Sequence, residues 1–366
     1  MLILLVCYIP IHRSGNWSIL PIFTAAKKVL MKTFTIPGSF SLECGDVLEQ
    51  VEIAYLTLGE MNQQGDNVIW ICHALTANAD PEEWWPGMVG HGKLFDPGQY
   101  FIVCANILGS CYGSTFAGSM KPGSNTAYGR EFPLITVRDQ VTAMMALKNH
   151  LGIKHIRLCV GASLGGMQVM EWAVMEPSQF AKICLIATNA RHSPWGIAFN
   201  EAQRMAIYAD STLYDDTPEA GWKGLAAARA IAMLSYRNYR TYGLTQLDNL
   251  NKYDQFKAAS YQQYQGEKLC KRFHPWAYLT LSRMMDSHNI GRNRESVEAA
   301  LQMIFTPTLV IGIESDFLFP LSEQQDLARK IPGAFLKVVN SRYGHDGFLI
   351  ENEILTDIIG EFLVED

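Results

Sequence analysis

Short apolar runs of strand length alternate with longer stretches of helical periodicity through most of this chain. Seven runs stand out: VEIAYLTL (51–58), NVIWIC (67–72), YFIVCAN (100–106), IRLCVG (156–161), KICLIA (182–187), TLVIGI (308–313) and FLKVVN (335–340). Several are apolar at nearly every position, the pattern of parallel strands covered on both faces. Between the third and fourth runs, TVRDQVTAMMALKNHLG spaces Val137, Val141, Met144, Met145 and Leu151 along one helical stripe. It opens on Thr136 with Asp139 three residues on and stops at Gly152, the signals of a capped helix. Strands alternating with crossover helices predict a doubly wound, mostly parallel α/β sheet.

The alternation breaks from 191 to 305, a stretch rich in Ala, Gln, Tyr, Arg and Met with helical patterns such as EAGWKGLAAARAIAMLSYR. It is too long for a loop. We expect a helical lid insertion over the C-terminal edge of the sheet, where open α/β sheets bind ligands, between core segments 31–190 and 306–366. At the start, MLILLVCYIP resembles the apolar part of an export signal, but no basic segment precedes it and it is too short to span a bilayer. Residues 1–30 are expected to be an upstream over-extension of the reading frame, with Met31 as initiator; a poorly cleaved leader is the alternative.

Composition narrows the partners. With 366 residues and 48% hydrophobic content, the chain can bury a large core. A formal net charge of -6 argues against nucleic acid or an anionic membrane as partner. The eight cysteines are scattered, with no C-x-x-C pair and no zinc-finger spacing. They read as small buried hydrophobes in a reducing, cytoplasmic setting, and no metal site is expected.

The chemistry concentrates at RLCVGASLGGMQVMEWA (157–173). Gly161-Ala162-Ser163-Leu164-Gly165 matches G-x-S-x-G, with a strand before it and a helix pattern after it. That context is the one a nucleophile elbow requires; the alternative is a glycine-rich turn with an incidental serine. At an elbow, side chains at 161 and 165 would collide with the neighbouring strand and helix, so glycines there let Ser163 project over the sheet edge. The helix N-terminus behind it favours developing negative charge, and the Leu164 amide points where an oxyanion would form.

A serine nucleophile needs a base, and this fold orders the triad as serine, acid, histidine. Asp316 ends the late strand in TPTLVIGIESDFLFP; Glu314 lies closer to the strand body and is the weaker candidate. His345 follows in RYGHDGFL and is the only histidine beyond Asp316. His73, His91, His150 and His155 precede Ser163, while His192, His274 and His288 fall in the insertion and its approach. The second oxyanion donor should come from the loop after an earlier strand, and the Leu75 amide in WICHALTANAD is our choice. GSCYGSTFAGS (109–119) lacks a P-loop lysine and reads as a pocket wall.

Together, CHALTANAD, WWPGMVGHGKLFDPGQYFIVCANILGSCYGST, FPLITVRDQV, GASLGGMQVMEWA, GLAAARAIAMLSYR and RYGHDGFL resemble the homoserine O-acetyltransferase family of the α/β-hydrolase superfamily, from about Phe34 to the C-terminus. The chain departs in HALTANAD, where the family more often carries Gly-Asp-Ala-His after the threonine, and in MKPGSNTAYGREFP. The resemblance implies an α/β-hydrolase fold and ping-pong transfer of acetyl from acetyl-CoA, through Ser163, to the hydroxyl of L-homoserine in methionine synthesis. It further implies that Arg229 grips the substrate carboxylate and Asp346 its ammonium, that acetyl-CoA is a co-substrate with no cofactor required, and that the protein is a homodimer. The residues leave open an O-succinyltransferase, an L-serine O-acyltransferase or a serine esterase with the same triad.

Overall fold

The computed structural model describes residues 31–365, so the expectation for residues 1–30 lies outside the described residues. The strands are β1 (Lys32–Thr35), β2 (Ser39–Ser41), β3 (Val47–Glu49), β4 (Glu52–Leu58), β5 (Val68–Cys72), β6 (Phe101–Ala105), β7 (Ile156–Ala162), β8 (Phe180–Ile186), β9 (Thr308–Ile313) and β10 (Phe335–Val339). Eight of them form one sheet in the order β1-β4-β6-β5-β7-β8-β9-β10, and β2 pairs with β3 alone. β1, β4 and β6 meet antiparallel, and every pairing from β6 through β10 is parallel.

All seven strand runs read from the sequence are present, with ends shifted by up to two residues. The reason for their continuous apolarity is visible in β5: Trp70 packs into the core on one face, Ile69 and Ile71 into the core on the other. The three short strands β1 to β3 escaped the sequence reading because each has a single buried residue among exposed ones.

The helices are α1 (Pro81–Trp84), α2 (Val137–His150), α3 (Leu164–Met175), α4 (Pro194–Tyr208), α5 (Trp222–Tyr236), α6 (Tyr239–Thr245), α7 (Lys257–Cys270), α8 (Pro275–Asp286), α9 (Val297–Gln302), α10 (Leu321–Lys330), α11 (Gly347–Ile350) and α12 (Asn352–Val364). α2 carries both halves of the capping box between Thr136 and Asp139. α3 is buried from Leu164 to Val174, and its Trp172 ring meets Trp70 edge-on at 4.9 Å. The six helices α4 to α9 lie between β8 and β9. The chain leaves and returns to the sheet side by side: His192 N–H donates to His288 O at 3.0 Å, and Ile290 N–H to Ala190 O at 2.9 Å.

A half-buried ionic cluster centred on the buried Glu171 ties these parts together. Glu171 of α3 accepts from Arg138 Nε and Arg294 Nη2, each at 2.7 Å. Glu43, near the β2–β3 hairpin, accepts from Arg138 Nη1 and Arg292 Nη2, each at 2.6 Å. Burial pushes the Glu171 carboxyl up, but the hydrogen bonds and charges of Arg294 and Arg138 outweigh it and hold the group below its ordinary value of 4.5.

Removing one partner of a buried ion pair strands the other charge, at about 3–5 kcal/mol. Glu171→Gln should therefore lower unfolding free energy by about that amount in urea titrations. A depressed folded-state carboxyl contributes stability above its unfolded value and loses it as pH falls through the folded one. Below pH 4.5 the wild type should thus lose stability more steeply than the variant.

Candidate active site

Ser163 sits between β7 and α3 at φ 56° and ψ −124°, in the left-handed half of backbone space that L-residues rarely occupy. Its backbone is held from three sides. Its N–H donates to Ile186 O at 2.9 Å, and its carbonyl accepts from Thr188 Oγ1 at 2.9 Å and Met167 N–H at 3.2 Å. The flanking glycines supply space. A Cβ on Gly161 would lie 2.4 Å from the Gly165 carbonyl carbon, and one on Gly165 would lie 2.1 Å from Cys72 O. The bland turn reading would require none of this. Ser163 projects over the sheet edge as expected but is only 5% accessible, because it opens onto a cavity and not onto bulk solvent.

His345 and Asp316 meet behind that cavity. Asp316 Oδ2 lies 2.7 Å from His345 Nδ1, and both residues are buried. With a carboxylate as acceptor, Nδ1 carries the proton and Nε2 is left to act as base. Asp316 Oδ1 accepts from the Leu318 and Phe319 amides, each at 2.9 Å, which fixes the carboxylate plane. Phe319 stacks on the imidazole at 5.0 Å and Phe348 meets it edge-on at 5.4 Å. Behind Asp316, Asn189 Nδ2 donates to Glu323 Oε2 at 3.0 Å. Burial and the charge of Asp316 push the Glu323 carboxyl up to about 7 despite that bond. Glu314 is exposed and takes no part.

The cavity encloses about 190 Å³ and brings together Ser163, His345, Leu75, Arg229 and Asp346. Leu164 is fully buried at the start of α3, where its amide is one of the first-turn N–H groups with no acceptor inside the helix. Arg229 and Tyr236 enter from α5, the Arg229 guanidinium 5.4 Å from the Tyr236 ring centre. Asp346 is paired in advance: its Oδ2 lies 2.8 Å from Arg237 Nε, with Arg237 placed just past α5. That nitrogen makes no hydrogen bond by direction, so the attraction is one of charge. Burial raises the Asp346 carboxyl, opposed by Arg237, Arg229 and His345. Among the described residues no group of three His, Cys, Asp or Glu side chains is arranged for a metal.

The family described as alpha/beta hydrolase fold matches residues 67–351. The homoserine O-acetyltransferase of Cyclobacterium marinum is 45% identical over 338 residues, covering 92% of this chain and 96% of that protein. The chain belongs to the homoserine O-acetyltransferase family. Members of that family are acyltransferase enzymes, and the family resemblance read from the motifs stands. The crystal structure of homoserine O-acetyltransferase from Bacillus anthracis superimposes with a TM-score of 0.84 at 23% identity, covering 92% of this chain and 98% of that one. The structure of esterase E22 superimposes with a TM-score of 0.82 at 22% identity, covering 91% and 99%. At such identity these two establish the α/β-hydrolase fold and nothing finer.

Several site residues of this family member were not legible in its sequence. Tyr236, Arg237 and Arg272 come from the helical segment, and which of their faces meets the sheet depends on how those helices pack. His73 fails as a triad base by chain order, yet it has a structural task. Its Nδ1 donates to Ala74 O at 2.9 Å while its Nε2 accepts from Ile107 N–H at 3.2 Å, so the ring is neutral. Burial drives its pKa down to about 4. A histidine directly following a buried strand was the available signal. Asn78, Glu83 and Trp84, within and beyond the divergent HALTANAD segment, also line the cavity, Asn78 Nδ2 donating to Glu83 Oε2 at 2.8 Å.

If space governs the corner, Gly165→Ala must move β5 or α3 by more than an ångström, since its methyl would meet a backbone carbonyl. We expect that variant to lose most soluble yield or to melt well below wild type in calorimetry, whereas Gly65→Ala, where nothing lies within 4 Å of the added carbon but φ is +67°, should cost only about 1–2 kcal/mol.

Proposed function

We propose that the protein transfers an acetyl group from acetyl-CoA to the side-chain hydroxyl of L-homoserine, giving O-acetyl-L-homoserine for methionine synthesis. One observation carries the choice of acceptor: the cavity that holds Ser163 and His345 also presents a guanidinium and a carboxylate of its own. Arg229 makes no ion pair among the described residues and lies over the Tyr236 ring. An unpaired guanidinium suits a carboxylate, and Asp346 suits an ammonium, so together they select an amino acid.

The residues then divide the work as follows. His345 Nε2 takes the Ser163 proton as Oγ attacks the thioester carbonyl; the oxyanion is met by the amides of Leu75 and Leu164. Collapse breaks the carbon–sulfur bond, and His345 returns its proton to the departing thiolate. In the second half-reaction His345 deprotonates the homoserine hydroxyl, which attacks the acetyl-enzyme, and the proton passes back to Ser163. Asp316 orients the ring throughout. Tyr236 beneath Arg229 limits where that guanidinium can swing.

The setting fits a biosynthetic enzyme. The seven cysteines of the described residues are free, in keeping with a reducing, cytoplasmic compartment, and no described helix is long and apolar enough to cross a membrane. Tyr239, Leu244, Leu247, Leu250 and Tyr253 are strongly exposed on and after α6, which supports a homodimer formed through this face.

Purified protein given acetyl-CoA alone should carry an acetyl group on the peptide containing Ser163, and Ser163→Ala should carry none while keeping its melting temperature. Label elsewhere by mass spectrometry would end the acyl-enzyme reading. Arg229→Ala should acetylate Ser163 at the normal rate yet lose at least tenfold in kcat/KM for homoserine, because a charge-assisted bond of about 1.5–3 kcal/mol is gone. Equal loss in both half-reactions would remove Arg229 from the acceptor site. Release of CoA without homoserine would favour an esterase, and preference for succinyl-CoA or L-serine would replace the donor or acceptor.

A further inference from the structure

Arg272 lies just past α7, in the segment between β8 and β9, and reaches down to the core. Its Nη1 donates to Thr76 O at 2.5 Å and to Tyr112 Oη at 2.7 Å. Its neighbours anchor the same strip: Phe273 meets Tyr112 at 5.6 Å and His274 meets Phe116 at 5.5 Å. The guanidinium thus spans two core loops, one after β5 and one after β6. Its own residue is exposed at the cavity mouth.

Peptide planarity gives the Thr76 contact its meaning. Residues 74–77 form a turn closed by Ala77 N–H to Ala74 O at 3.1 Å. The C=O and N–H of one trans peptide point in opposite directions. Drawing Thr76 O toward Arg272 therefore turns Ala77 N–H the other way, toward Ala74 O. Ala74 O, held there and by His73 Nδ1, in turn directs Leu75 N–H to the opposite side of its own peptide plane. Two rigid peptide units and one hydrogen bond connect a cation of the helical segment to the amide assigned to the oxyanion.

We propose that Arg272 is a positioning residue, which fixes the direction of the Leu75 amide and so makes oxyanion stabilisation depend on the helical segment being seated on the core. The inference rests on Leu75 as an oxyanion donor, part of the function proposed above. Arg272 acts through the turn rather than on the acyl donor, so its effect is the same for a charged and an uncharged donor. The bond to Tyr112 steadies the guanidinium but is not part of the path to Leu75.

The test is the single-turnover rate of Ser163 acylation with acetyl-CoA and, separately, with uncharged p-nitrophenyl acetate. Arg272→Ala should slow both by at least about tenfold, short of the 10²–10³ seen when an oxyanion donor is removed outright. Its KM for homoserine should stay near wild type, Arg272→Lys should recover part of the rate, and Tyr112→Phe should stay within about twofold. Loss confined to acetyl-CoA would make Arg272 an anion-binding residue and overturn the proposal. An unchanged rate, or equal loss in Tyr112→Phe, would also overturn it. A wild type that is acylated by the ester but gives no O-acetyl-homoserine would defeat the proposed function while leaving the Arg272 comparison readable.

Discussion

Ser163 occupies its strained backbone position because atoms from a neighbouring strand hold it there. A non-glycine residue in such a region costs of order 1–3 kcal/mol, and it persists only where surrounding bonds over-determine it. Here Ile186 O and Thr188 Oγ1, at the end of β8 and just after it, bind the serine's own N–H and carbonyl. The peptide that supplies Ile186 O is itself anchored on its other side: Ala187, at φ 45°, donates its N–H to Ile311 O of β9 at 2.9 Å. Sheet register across β7, β8 and β9 thus sets the nucleophile. The close approach of α3 to β5, which Gly165 permits, sets the direction in which the hydroxyl can leave the sheet.

Charge organises what lies above the corner. Asp346 has Arg237 as direct counter-ion, whereas Arg229 lies over an aromatic ring, makes no ion pair among the described residues and acts on Asp346 only at longer range. The zwitterion proposed as acceptor would bring its ammonium to an Asp346 that Arg237 already faces, and would give Arg229 its first direct ion pair. The two contacts therefore differ in kind. The ammonium contact is shared with Arg237 and the carboxylate contact is a net gain, so the carboxylate end should dominate recognition.

What could be read from the sequence follows the range of the forces involved. The parallel strands were legible because burial on both faces leaves a local mark, and so was α2, whose Thr136 and Asp139 close a box within one turn. The elbow was legible because glycine spacing around Ser163 is local too, and chain order then led to Asp316 and His345, which the structure brings into contact. The roles of Arg229 and Asp346 came from family resemblance, not from any pattern around them. Arg237 and Arg272 left no trace in the sequence, because their partners, Asp346 and Thr76, lie more than a hundred residues away and meet them only once the helices are docked. The short strands β1 to β3 were lost for the opposite reason: their pattern is local but too brief to stand above chance.

The helical segment enters and leaves the sheet through one narrow stem, at 190–192 and 288–290. Ser163, Asp316 and His345 all lie outside that stem, and Arg229, Tyr236, Arg237 and Arg272 all lie inside it. Heredity can therefore treat the two parts separately. In a duplicated copy of this gene, changes within the stem-bounded stretch would reshape the Arg229 side of the cavity and, through Arg272, bear on the Leu75 turn, whereas Ser163, Asp316, His345 and Asp346 would be inherited apart from it.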